Sequence, residues 1–384
     1  MISTILLVAF YLLTPLLILY SCQKLSFLRR LGAVLVAYGV GLIAGVSGLL
    51  PDNSVEIQDI ITTITIPLAL PLMLFSSDIK SWTRLAGSTT ISMIIALFAV
   101  LISVIVGYLI FVTDEIPDLW KVGGLLVGVY TGGTPNLAAL KIMLNVDNDT
   151  YLITHAYDMI ISAGYFFFLI TIGQKVFSML LPKFIPGGKS DEQNVLSDMS
   201  KNHMWGLFDM KNRRPMIIAL LLSIAIFGIA GSTTFFVPEN SQMIVVILLI
   251  TTFGILLSLV PSVNKLNNTF ELGMYLILVF SIDVASMVDL TNMAASSSTI
   301  FYYVFLVIFG SLFLQVLVSA IFKIDTDTVI ITSTALICSP PFVPAVAGAI
   351  KNKEIIVSGL TIGIIGYAVG NYLGVLVAEF LHTF

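Results

Sequence analysis

Charge is what this chain has least of. Only 10% of its 384 residues are Asp, Glu, Lys or Arg, against 58% hydrophobic, and the mean hydropathy is +1.03. A chain of that composition cannot stay in water as a globular domain, and no nucleic-acid partner is expected of it. Cysteine is nearly absent as well: Cys22 and Cys338 are too few for a disulfide framework. Histidine occurs three times, as His155, His203 and His382, none in a metal or catalytic partner motif. No Gly-x-x-x-x-Gly-Lys-Ser/Thr loop is present, which argues against ATP-driven transport by this chain alone. An intramembrane enzyme is weighed and set aside. Gly45-Val46-Ser47-Gly48 and Tyr157-Asp158 match fragments of membrane-protease motifs, but no Gly-x-Gly-Asp accompanies them. No catalytic residue and no organic cofactor are expected.

What is present is a succession of apolar segments of membrane-spanning length. They cover residues 2–20, 31–50, 57–77, 88–112, 119–144 and 150–181 in the first half, and 215–231, 243–260, 270–287, 299–322, 328–350 and 355–381 in the second. Leu19-Tyr20-Ser21-Cys22 looks like a lipoprotein cleavage site, but the first basic residue, Lys24, follows the apolar run instead of preceding it. Residues 1–20 are therefore read as a retained helix.

Two landmarks repeat at one spacing. Phe75-Ser76-Ser77-Asp78 is matched by Phe280-Ser281-Ile282-Asp283, and Pro135, in Gly132-Gly133-Thr134-Pro135-Asn136, by Pro340 in Cys338-Ser339-Pro340-Pro341. Both pairs are 205 residues apart. This points to a duplicated membrane transporter, with residues 1–181 as the first repeat, 182–214 as a linker and 215–384 as the second. Charge gives the repeats a direction. If all twelve segments crossed, 8 of 18 basic residues would lie inside, Lys351 among them, with Lys175 and Lys183 outside. If the segments carrying the Gly-Gly-Thr-Pro and Ser-Pro-Pro breaks each enter and leave on one side, 16 of 18 lie inside and only Lys121 and Lys141 outside. The expectation is an all-α polytopic protein of two inverted repeats, each of about five crossing helices plus a broken or re-entrant hairpin. The amino terminus lies outside and the linker is cytoplasmic.

Backbone that leaves the helix at bilayer depth strands polar groups unless protein or a wet cavity satisfies them, so a break there points to function. Thr131, Gly132, Gly133, Thr134, Pro135 and Asn136, facing Ser339, Pro340 and Pro341, are the candidate solute site. Helix amino termini at the breaks favour an anion and freed carbonyls a cation. Asp283 lies inside an apolar segment, at about 2.5 to 3.5 kcal/mol on insertion scales, and so should be paired, protonated or bound to a cation. Asp78, beside Lys80 and Arg84, is either its functional twin or an interfacial acid. Asp158, one turn after His155, makes either a proton-accepting pair or a structural one. Asn371, among Gly366, Gly370 and Gly374, serves either the solute or close helix packing. Ion coupling is assigned to Asp78, Asp283 and Asp158, with Na⁺ at Asp283, Asn136 and Thr134, because oxygen donors suit a hard cation.

The Gly132–Asn136 and Phe75–Asp78 motifs, with Gly366-Tyr367 through Gly370-Asn371-Tyr372, resemble the YjcL-like membrane proteins, the family called domain of unknown function 819. That family is grouped with the cation/proton antiporter and anion transporter superfamily. The resemblance spans nearly the whole chain. It implies a multi-pass protein of the inner (plasma) membrane with a scaffold and a moving core that carries solute past it, and it makes a homodimer an expectation. The chain departs from such carriers at Cys338-Ser339-Pro340-Pro341, where a glycine-rich turn is usual. The function expected is a secondary active transporter coupling a small solute, an organic anion, to Na⁺ or H⁺. The alternative is a Na⁺/H⁺ antiporter.

Overall fold

A computed structural model of the chain describes residues 2–25, 28, 33–47, 50–51, 54–76, 87–112, 116, 118–184, 213–287, 297–352 and 354–384. Asp78, with Lys80, Arg84 and residues 185–212 of the linker, lies outside these. All regular structure among the described residues is helical, as a hydrocarbon environment demands of an open chain. The helices are α1 (Ile2–Lys24), α2 (Ala33–Val46), α3 (Ser54–Phe75), α4 (Gly87–Phe111), α5 (Leu119–Met143), α6 (Asn148–Phe168) and α7 (Arg213–Ser232). They continue with α8 (Glu239–Ser258), α9 (Thr269–Ser286), α10 (Ser297–Ile321), α11 (Thr326–Ser333), α12 (Val343–Ala349) and α13 (Ile356–His382). A π-turn at Leu169–Gly173 extends α6 to Phe177, giving a 30-residue rod. Among the described residues, eight helices are long and apolar enough to cross a bilayer.

The compact units are not the two halves of the sequence. One comprises Met1–Ser77, Asn145–Ile153 and His203–Ala295, and the other Asp78–Leu144, Thr154–Asn202 and Ser296–Phe384. Each therefore takes segments from both halves.

In the first unit, α9 is the central helix and is enclosed by α1, α2 and α3. Leu278, Val279 and Ile282 of α9 share a buried cluster with Leu7, Tyr11 and Ile18 of α1, Ala37 of α2 and Ile57 of α3. Gly41 and Gly45 of α2 let that helix touch the backbone of α9. A Cβ at Gly41 would meet the Ile282 carbonyl, and one at Gly45 would lie 3.0 Å from the carbonyl carbon of Ser286.

In the second unit, α5 is a hairpin. A straight helix would hold Gly124 and Leu144 about 30 Å apart, at 1.5 Å per residue. Instead a Cβ on Gly124 would lie 2.7 Å from Leu144 Cδ1, one on Gly128 would meet Leu140, and one on Gly132 would meet the Asn136 amide. The chain reverses at Gly133, and a Gly-x-x-x-Gly-x-x-x-Gly stripe on the first arm lets the second arm close on it. A second hairpin comprises α11, a π-turn at Thr334–Cys338, a break at Ser339 and α12. Its mouth is closed by Asn352 Nδ2 donating to Asp327 Oδ2 at 2.9 Å, across twenty-five residues that would span about 37 Å if helical throughout.

Helix α13 gives these hairpins their direction. Its first turn follows Asn352 at the mouth of the second hairpin. Its last residue, His382, stacks on Trp120 at the mouth of the first, with ring centroids 4.1 Å apart. The mouths thus lie at opposite ends of a helix about 40 Å long, and the tips meet its middle, where Gly363 faces Pro340 and Gly366 faces the Thr131 carbonyl. Lys183 and Lys351 line one cleft, so they share a side, and twelve full crossings would have separated them. With Cys22 and Cys338 replaced by serine, Lys183→Cys and Lys351→Cys should react with an impermeant maleimide from the same face of sealed vesicles. Labelling from opposite faces would overturn the hairpin topology.

Candidate functional site

The site is the meeting of the two tips. Gly133 has φ 70° and ψ −165°, and Ser339 has φ 80° and ψ 157°, so both occupy the same left-handed extended region that is ordinarily reserved for glycine. A Cβ on Gly133 would run into the Ser339 hydroxyl, which places the breaks in direct contact. The residues at these φ values are 206 apart, from 339 minus 133, one more than the sequence spacing. The π-turn ahead of Ser339 takes up that extra residue. Thr134 and Ser339 are partly exposed, whereas Thr131, Gly132, Gly133, Pro135, Asn136 and Pro340 are buried, so the two hydroxyl residues are the least covered part of the site. Of Pro341 the backbone is described, in a short 3-10 turn, but not the side chain.

Behind the tips, α13 presents small residues. Gly370 faces the Thr131 hydroxyl and the Asn136 amide, and Gly374 faces Leu140 and lies 3.1 Å from the Gly124 carbonyl, measured from an ideal Cβ. Asn371 is fully buried beside this stripe. Asn136, also fully buried, donates through Nδ2 to the Gly366 carbonyl at 3.2 Å, while its Oδ1 has no hydrogen-bond partner among the described residues. An orphaned buried amide oxygen costs about 1 to 3 kcal/mol and is suited to a cation or a solute donor.

Among the described residues, Asp158 is an acid that lies close to the tips. It lies on α6, with Ser162 Oγ donating to Oδ1 at 2.9 Å and His155 Nδ1 at 3.5 Å from Oδ2. It lies near Tyr130, just ahead of the first tip, and near Cys338, just ahead of the second. The sequence argument missed Tyr130 and Ser162. It also missed the Gly124 and Gly128 stripe, although its four-residue period was there to be found.

Asp283 belongs to the other unit. It is fully buried in α9, where Thr62 Oγ1 donates to Oδ2 at 2.8 Å. One turn on, Ser286 Oγ donates to the Asp283 carbonyl and hydrogen-bonds the Tyr11 hydroxyl at 2.7 Å. Gln58 Nε2 donates to both hydroxyls, at 2.8 and 2.9 Å. Thr134, Asn136, Ser339, Asn371 and Asp158 share a unit, Asp283 lies in another, and Asp78 is outside the described residues.

The donors around the tips are hydroxyl, amide and carbonyl oxygens. Among the described residues no three His, Cys, Asp or Glu side chains cluster, and oxygen donors of this kind suit a hard cation better than a soft transition metal. The family model described as Protein of unknown function (DUF819) matches residues 8–384. The chain belongs to this family. The uncharacterized membrane protein YjcL of Bacillus subtilis (strain 168) is 23% identical over 370 residues, covering 94% of this chain and 93% of that protein. The DUF819 chain is thus a multi-pass helical membrane protein.

The tip geometry predicts opposite effects for two small substitutions. Ser339→Gly should raise thermal stability by about 1 kcal/mol, because relief of backbone strain outweighs the added chain entropy. Gly133→Ala should lower it by about 1–3 kcal/mol, through strain and the collision with Ser339. Melting of the detergent-solubilised protein measures both.

Proposed function

We propose that this DUF819 protein is a secondary active transporter that couples a small organic anion to Na⁺ or H⁺ by alternating access. The observation that carries this is the pair of hairpins entering from opposite ends of α13 and meeting tip to tip. A soluble-type core has no use for two breaks at bilayer depth, whereas a solute and an ion have. In this reading the second unit is the moving core, and the first unit is the static part through which two copies associate. The halves 1–181 and 215–384 are inverted repeats in the plasma membrane, with the amino terminus outside and the linker cytoplasmic.

Roles follow from the chemistry of each group. The helix amino terminus at Thr134 and the hydroxyls of Thr134 and Ser339 receive the anion. Asn136 Oδ1 and the carbonyls left open at the breaks hold Na⁺. Asp158 supplies the compensating negative charge, and Asp283 serves as a protonatable group within the first unit. His155 at 3.5 Å from Asp158 favours one second reading, a Na⁺/H⁺ antiporter in which this pair carries the proton.

A thermal-shift screen of organic anions, each with and without Na⁺, should find a solute whose stabilisation needs Na⁺. In proteoliposomes, uptake of that solute should follow the imposed ion gradient. Asn136→Ala and Asp158→Asn should each lower it about 10-fold or more, the scale of a lost buried polar interaction. Uptake indifferent to both gradients would overturn the coupling, and wild-type rates in both variants would remove the site. Na⁺ flux coupled to pH with no solute present would favour the antiporter.

A further inference from the structure

The mouth of the second hairpin opens into a cleft of about 880 Å³ that none of these roles uses. Three lysines line it from three separate stretches of chain. Lys175 lies at the end of the α6 rod, Lys183 in the segment that follows, and Lys351 just past α12. Among the described residues, the ion pairs are Lys121 with Asp118 and His155 with Asp158, so none of the three ammonium groups is neutralised there by a carboxylate.

The acid nearest to hand is already engaged. Asp327 accepts from Gln174 Nε2 at 2.8 Å through Oδ1 and from Asn352 Nδ2 at 2.9 Å through Oδ2, and it is only 7% exposed. That bridge ties the α6 rod to both sides of the hairpin mouth and forms the cleft's floor. Glu354 lines the rim, leaving one positive charge in excess.

Two of the lysines are also held in place by their backbone. Thr326 donates to the Pro182 carbonyl from its backbone nitrogen at 2.9 Å and from its hydroxyl at 3.2 Å, fixing the residue before Lys183 against the start of α11. Lys351 has φ 58°, the left-handed region that a long side chain rarely adopts, and its backbone nitrogen bonds the Gly348 carbonyl. Three like charges gathered in one concavity by a bonded frame and a strained backbone repel one another. A concave wall of net positive charge concentrates anions, and compact ammonium groups take phosphate as point charges.

We propose that this cleft binds a phosphate-type oxyanion, free or carried on an acidic phospholipid headgroup. Lys175, Lys183 and Lys351 pair with its charge, and the Ser178 hydroxyl, which donates to the Lys175 carbonyl at 3.0 Å, turns to donate to it. The bound anion ties the end of α6 to the hairpin mouth. These are the elements that carry Asp158 and Ser339, so the site is a brace for the core at a distance from the tips.

The full chain, purified in a neutral detergent, is melted with inorganic phosphate against chloride at matched ionic strength and Na⁺, and separately with phosphatidylglycerol against phosphatidylcholine. Wild-type protein should gain a few degrees from phosphate, from phosphatidylglycerol, or from both. A response to phosphate alone assigns a soluble ligand, and a response to phosphatidylglycerol alone a lipid. The gain should shrink in Lys175→Gln, Lys183→Gln and Lys351→Gln singly, vanish in the triple variant and survive in Lys351→Arg. Lys351→Gly, which relieves the backbone but removes the charge, should melt higher without anion and respond less to it. No gain from either additive, or an equal gain in the single and triple variants, overturns the proposal.

Discussion

Two stretches of backbone that leave the helix halfway across a bilayer must find their hydrogen-bond partners inside the protein. Each unsatisfied group there costs several kcal/mol, and lipid offers nothing in return. This requirement accounts for much of the second unit. The tips are pressed against each other, Gly133 against Ser339, and α13 is stripped of side chains where the hairpins reach it, at Gly363, Gly366, Gly370 and Gly374. Asn136 ties the first hairpin to α13, donating across to the Gly366 carbonyl.

The same requirement leaves chemistry behind. Closing the tips buries Asn136 completely while keeping Thr134 and Ser339 partly open, so buried and accessible polar groups lie side by side there. Asp158 stands beside that place because α6 runs past both hairpins between their mouths. The polar groups of the first unit follow a different logic. Thr62 donates to Asp283, and Tyr11, Gln58 and Ser286 hydrogen-bond one another, so these groups join α1, α3 and α9, while Gly41 and Gly45 bring α2 against α9.

Much of this architecture was legible in the chain. The apolar segments gave the helices, since in hydrocarbon no other open structure satisfies its backbone. The placement of 18 basic residues favoured a hairpin in each half, because parity turns a local choice into a global count. The breaks at Gly132-Gly133-Thr134-Pro135 and Ser339-Pro340-Pro341 were visible as residues that cannot continue a helix. Less legible was which acid belongs to them. Asp283 stood out because it shares a motif and a spacing with Asp78, but a repeated motif records ancestry and position in each half, and says nothing of which helices finally enclose it. Asp158 shares no such motif.

What the sequence determined by itself, then, is the class of molecule, the segments that enter the membrane and the two points where they break. Hydropathy, charge placement and proline or glycine chemistry are local properties, readable one segment at a time. Only the tertiary structure decided that each compact unit would take helices from both halves and that the two tips would meet against a glycine-lined α13. It also decided that Asp158, rather than Asp283, would share a unit with those tips. Those outcomes depend on contacts between residues as far apart as Asn136 and Gly366, and they are set by which surfaces fit at close range.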